Sequence, residues 1–367
     1  MIAFHYQHNF IYLFIRSVAY CIRLIIKINN SQYFLNPIIQ LFCMCLGESF
    51  GGFVYFYQLF ILPKDKTVQK KLVFRVKKKE QKNFKIYFLF IACFCGFVDL
   101  IGCYDYQFIY SNSMKNISSY FSYFDIIFLS FIVCINECYT FNLQIYRHHY
   151  LGLSFCIFPL ILSLIVDSSY KKIKSSLYSF LLVLIIIIES KFILSLLYII
   201  EKKINYLFFV NINFLLFMEG FFGMITLLIY RIIYVFIFKM DNTFLIQIKN
   251  EKSNSELLLI LLSFSILTFI FNYCRLKITE FTRPSYNTIG NLLGILITMI
   301  YNSIMEKKIS KIDIVTHFFS ILGFCIYCEI ITIKFLNFDK NTIYNTKIRA
   351  IDDTSTIMND FELEFES

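Results

Sequence analysis

Long apolar runs, each cut off by a cluster of charge or by Pro, dominate the chain. The breaks define ten of them: 9–28, 37–62, 86–110, 118–135, 151–166, 177–200, 207–238, 257–274, 284–305 and 312–335. A helix rises 1.5 Å per residue, so a hydrocarbon core about 30 Å thick takes about 20 residues to cross. The pattern therefore predicts an all-α, polytopic membrane protein with about ten transmembrane helices. The first run is the weakest, because Arg16, Arg23 and Lys27 interrupt it. Those same charges argue against reading it as the core of a cleaved signal peptide. The run from 207 to 238 is long enough for one crossing plus an extension, which leaves room for tilt or a re-entrant end.

The runs carry an internal echo. The second holds Gly47-Glu48-Ser49-Phe50-Gly51-Gly52 and the seventh holds Glu219-Gly220-Phe221-Phe222-Gly223. The third and the eighth are each followed by a short polar hinge, at 112–119 and 277–285, and a fresh apolar run leads away from each hinge. The features recur at an offset of about 165–172 residues, so two five-helix halves are expected. Five is odd, so the halves would run in opposite directions, as in many secondary transporters. The expected divisions are an N-terminal segment over 1–35 with the weak first span, a first half over 36–170, a second half over 171–335 and an acidic tail over 336–367.

Composition agrees with this class. Of 367 residues, 58% are hydrophobic and only 16% charged, whereas a soluble domain carries about 25% charged residues. A soluble domain, a single-pass anchor and a secreted disulfide scaffold are excluded. With only 11 Gly in the chain, the few that remain are informative, since close helix packing in lipid favours small residues.

The formal charge of +10 is uneven. Ten Lys or Arg between Lys64 and Lys85 face only Asp65 and Glu80, while the 336–367 tail holds seven acids against Lys340, Lys347 and Arg349. A basic loop between spans stays on the cytosolic side, where it meets anionic headgroups. Both termini and the 64–85 loop are therefore expected in the cytosol. A nucleic-acid partner is not expected, because the block is an ordinary loop between spans. In this topology Arg147, Lys202, Lys203, Arg275, Lys277 and Arg283 fall in the other cytosolic loops.

The 12 Cys lie mostly inside the apolar runs, and Cys325-Ile-Tyr-Cys328 is a CxxC without the strand–helix context of a redox motif. They read as free thiols acting as small hydrophobes. His148-His149 follows Arg147 at a loop edge and reads as solvated rather than metal-bound. No HExxH, GxSxG, Walker A or GxGxxG pattern occurs, so neither an enzyme nor a metal or cofactor is expected.

Several blocks in a fixed order carry a resemblance. They are Asn36-Pro37-Ile38-Ile39-Gln40 with Met44-Cys45-Leu46-Gly47-Glu48; Asp99-Leu100-Ile101-Gly102 ahead of Ile117-Ser118-Ser119; Glu189-Ser190-Lys191-Phe192 followed by Glu219-Gly220-Phe221-Phe222-Gly223; and Phe271-Asn272-Tyr273 followed by Ile278-Thr279-Glu280-Phe281-Thr282. Together they resemble the drug/metabolite transporter superfamily (EamA-like) and, within it, the F branch of the solute-carrier-35 family. The resemblance covers nearly the whole chain after residue 35. It implies a transporter fold with both ends cytosolic. The Arg that relatives place shortly after each hinge is missing here, where the chain reads Ser122-Tyr123-Phe124-Asp125 and Ser285-Tyr286-Asn287.

An ionisable side chain inside a span costs a few kcal/mol, so it faces the bundle interior or a cavity. Glu48 and Glu219, each flanked by Gly, are the leading substrate-binding or coupling candidates. Asp99, with Gly96, Gly102 and Cys103 one turn away, reads as a packing acid or a substrate contact. Asn116 and Ser118 in the first hinge, and Glu280 and Thr282 in the second, can help to present helix amino ends to an anionic substrate. Helix capping explains the same hinge residues without any substrate. Glu189, Lys191 and Arg231 read as snorkelling residues near span ends.

The expected function is secondary transport of a small solute by alternating access. The alternative is a membrane scaffold or receptor that keeps the fold and has lost the substrate groups. Expected partners are the lipid bilayer, the solute and, as an option, a second copy of the chain. The expected location is an endomembrane (lysosomal, vacuolar or Golgi) or the plasma membrane.

Overall fold

The computed structural model describes residues 2–29, 37–60, 93–98, 101, 129, 132–136, 139–140, 146–170, 177–208, 210–238, 254–282, 284–306 and 311–335. All regular structure among them is helical. Eight long helices stand out: α1 Ile2–Asn29, α2 Pro37–Phe60, α3 Arg147–Tyr170, α4 Leu177–Phe208, α5 Ile212–Phe238, α6 Asn254–Phe281, α7 Tyr286–Glu306 and α8 Lys311–Tyr327. Among the described residues, three stretches, Ile38–Phe60 of α2, Ile212–Ile232 of α5 and Ser255–Glu280 of α6, are long and apolar enough to cross a membrane. They answer to three of the ten expected runs. The basic 64–85 loop and the acidic tail lie outside the described residues.

Helix α6 is the axis of the bundle, packing on α1, α2, α4, α5 and α7. The closest approaches are made at glycines. A Cβ on Gly47 would run into the Ser265 carbonyl oxygen, so α2 and α6 touch backbone to backbone there. A Cβ on Gly220 would lie 2.6 Å from the Cys45 oxygen and 2.7 Å from the Glu48 Cβ. Gly51 meets Asn213 and Leu216 further along, so α2 and α5 run antiparallel. In a membrane, where lipid leaves no hydrophobic drive between helices, such small-residue contacts would hold them at close range.

The charged first run forms a 28-residue helix after all. Arg16 is fully buried: its guanidinium lies 4.1 Å from the Phe271 ring centroid and donates to Asn291 Oδ1 from Nε at 3.3 Å and from Nη2 at 3.0 Å. Small residues again allow the approach, since Gly290 and Gly294 of α7 face Arg16 and Tyr20. A second core gathers Ile289 and Leu292 of α7, Phe324 and Tyr327 of α8 and Cys156 of α3. The α3–α8 contact is antiparallel, with Gly152 against Gly323 and Tyr327.

Several helix ends differ from the run boundaries. Helix α4 continues to Phe208 and α6 to Phe281, past the expected ends at 200 and 274. In both, polar residues beyond the apolar run find partners and let the helix continue. Thr279 Oγ1 donates to the Arg275 carbonyl, and Lys202 Nζ donates to the Thr279 and Glu280 carbonyls at 2.7 and 3.2 Å. A cation at the carboxyl end of a helix answers its exposed carbonyls and its dipole. The expected long run from 207 is instead broken at Val210–Asn211, where the Asn211 side chain accepts the Asn213 N–H at 2.9 Å and caps α5.

Candidate functional site

The two glycine-flanked acids come to the same face of α6. Glu48, only 2% exposed, accepts a 2.6 Å hydrogen bond from the Asn272 amide. One turn along α6, Arg275 Nη2 lies 3.3 Å from Glu219 Oε2 and 2.9 Å from Glu201 Oε1 of α4. Asn272 and Arg275 are three residues apart, which puts them on one stripe of the helix. The Arg275 guanidinium also lies 5.4 Å from the Tyr198 ring centroid. All five polar groups are buried, with Glu201 at 0% and Glu219 at 1% exposure.

Polar contacts continue along α6 away from the acids. The buried Thr279 hydroxyl accepts from the Asn287 amide of α7 at 2.6 Å, and Arg16 and Asn291 join α1 to α7 on another side. Buried charge is stable only when it is paired and hydrogen-bonded. The structure gives each of these buried charges a partner on a neighbouring helix, so the network ties α2, α4, α5 and α6 together.

Position decides what the other candidates do. Glu280 is exposed and pairs with Lys277 at 3.0 Å within its own helix. Thr282 donates back to the Ile278 carbonyl at 2.6 Å, a capping bond at the end of α6. Neither joins the buried network. Asp99, Asn116 and Ser118 lie outside the described residues. The helical stretch just before Asp99 does reach the network, because a Cβ on Gly96 would lie 2.8 Å from the Glu219 carbonyl oxygen. Pro284 sits in the turn before α7.

Three expectations are corrected. Arg275, assigned to a cytosolic loop, is buried in α6 at 3% exposure, because the helix continues past the apolar run and Glu201 and Glu219 neutralise its charge. Lys191, read as snorkelling, is buried at 4% between helices, whereas Glu189 two residues away is exposed. His148 and His149, read as solvated, are each 3% exposed, because the close α3–α8 contact closes over them.

Asn272, Arg275, Glu201, Arg16 and Asn291 were not among the site candidates read from the sequence. A usable signal was present for the first two: Asn272, Arg275 and Thr279 recur at the i, i+3, i+7 spacing of one helical face. Nothing in the sequence points Glu201 toward them. No protein-family model matches the chain, and no curated protein matches it significantly.

Proposed function

We propose that the chain is a multi-pass secondary transporter of a small solute, of the drug/metabolite type, working by alternating access between two inverted halves. The observation that carries this reading is the meeting of Glu48 and Glu219 on Asn272 and Arg275 of one helix. Intramembrane acids and bases mark substrate or ion pathways as a rule. The antiparallel contact of α2 and α5 is also what inverted halves would require of equivalent helices. In this reading Glu48 and Glu219 exchange their α6 partners for a cationic solute or a coupling proton.

A second reading draws on the same contacts. Both acids already hold protein partners, so a scaffold that uses the network only for packing would look the same at rest. Reconstitution into liposomes separates the two. Transport predicts uptake of some solute from a screened set, lost on Glu48→Gln or Glu219→Gln while folded protein is retained. No flux for any solute, or loss of folded protein in both variants without a separable flux defect, favours the scaffold.

A further inference from the structure

Away from the α6 network, the amino end of α3 and the carboxyl end of α8 bring His148, His149 and Glu329 together. Their donor atoms all lie within 4.8 Å of one another. Both imidazoles are 3% exposed, and the Glu329 side chain is 8% exposed. The α3–α8 register that places them is fixed from below by Gly152 against Gly323.

Glu329 is held there against its backbone preference. Helix α8 closes with Glu329 N–H to the Ile326 carbonyl at 3.1 Å and Ile330 N–H to the Cys325 carbonyl at 2.9 Å. That pair of bonds is the Schellman closure, whose C′ position needs a left-handed residue and usually takes Gly. Here it is Glu329, at φ 60°, the one non-glycine residue with positive φ among those described. The left-handed conformation costs an ordinary residue roughly 1–2 kcal/mol. A strained residue that presents a functional group is a pointer to a site, and the group presented is a carboxylate 3.1 Å from His148 Nε2.

The remaining atoms suit a ligand better than a simple ion pair. Among the described residues, His148 Nδ1 is buried without a hydrogen-bond partner. His149 Nδ1 accepts the Tyr146 N–H at 3.1 Å, which orients its ring. Tyr146 stacks 6.0 Å from both imidazoles and Tyr327 stands edge-on 5.1 Å from His149, so the three donors sit in an aromatic shell. Arg147 between them points outward and is exposed. The carboxyl end of α8 adds the negative end of its dipole to the Glu329 charge.

We propose that His148, His149 and Glu329 form a binding site for a divalent transition metal such as Zn²⁺, which clamps the amino end of α3 to the carboxyl end of α8. Two imidazoles and one carboxylate make a three-ligand zinc set that leaves a fourth position for water. Ligands 2.0–2.1 Å from a tetrahedral ion lie about 3.3 Å apart, so the donors close by at most about 1.5 Å on binding. Ligation through His149 Nδ1 takes the lone pair that accepts the Tyr146 N–H, and ligation through Nε2 puts the ring proton on Nδ1, so either gives up that bond. Imidazole donors select Zn²⁺, Co²⁺ or Ni²⁺ over Mg²⁺ and Ca²⁺.

The test uses the full chain in detergent, stripped with a chelator and dialysed against Co²⁺ as a spectroscopic stand-in. The expected result is one bound equivalent with the visible absorption of a tetrahedral centre, and a higher midpoint of thermal unfolding with Zn²⁺. His149→Ala should weaken binding by more than about 100-fold, beyond the roughly 10–100-fold that loss of a supporting group costs. Glu329→Gly is the decisive variant, since it removes the carboxylate but relieves the left-handed strain and so keeps the fold. Absence of stoichiometric Co²⁺ binding by the unaltered chain would overturn the proposal, as would binding that survives unchanged in folded Glu329→Gly.

Discussion

Arg275 of α6 lies 2.9 Å from Glu201 of α4, a pair 74 positions apart in sequence that is buried from solvent on both sides. The same guanidinium nitrogen reaches Glu219 at 3.3 Å, so one cation holds two helices against a third. Removing one member of a buried ion pair leaves an uncompensated charge and costs about 3–5 kcal/mol.

Arg275→Met should therefore lower the stability of the bundle by about 3–5 kcal/mol. Combining it with Glu201→Gln and Glu219→Gln should recover part of that loss, because neutral partners no longer need the cation. Thermal unfolding of the three single variants and the triple variant in detergent measures the coupling. Additive losses would show that the three side chains act independently.

Glu48 offers a milder change. Its partner is an amide, so Glu48→Gln keeps a carbonyl oxygen facing the Asn272 amide and should unfold within about 1–2 kcal/mol of the unaltered chain. Asn272→Leu should be worse, because it leaves the Glu48 carboxylate buried without that donor. A comparison of unfolding midpoints checks the order.

Gly220 is the tightest point between the two acids. A Cβ there would lie 2.5 Å from the Ser49 backbone nitrogen and 2.6 Å from the Cys45 oxygen, neither of which can swing away. Gly220→Ala should push α2 and α5 apart and cost about 1–3 kcal/mol. Gly290→Ala is the control, since its nearest neighbour at 3.0 Å is a side-chain carbon of Arg16 rather than backbone. It should be tolerated better in the same unfolding assay.

Orientation rests on the 64–85 loop. A protease-cleavable tag at Val68 should be cut from the cytosolic side of sealed vesicles, as should tags at both termini. Without that loop the remaining Lys and Arg counts favour the reverse, so protection of the Val68 tag would invert the whole topology.

What could be read in advance followed one physical rule. A charge flanked by Gly inside an apolar run stands out, and both Glu48 and Glu219 are indeed buried at close helix contacts. Arg275 escaped because hydropathy alone ended its helix at residue 274, and a cation beside Lys277 looks like a loop. Its burial depends on Glu201 and Glu219, which no local pattern brings near. Arg16 misled in the same way: it weakens the first run by composition, while Asn291 and Phe271 make it a packing residue. The His148–His149 pair depended wholly on the distant segment that closes over it.

Placing Asn272 and Arg275 on one rigid helix has a thermodynamic consequence. The rise between them is only about 4.5 Å, so α6 cannot slide or turn enough to release one acid without disturbing the other. In the proposed transport cycle, a ligand that drew α6 away from Glu48 would thereby change the free energy of binding at Glu219. By linkage the influence must be returned in equal measure, and occupancy at either acid becomes information available to its counterpart.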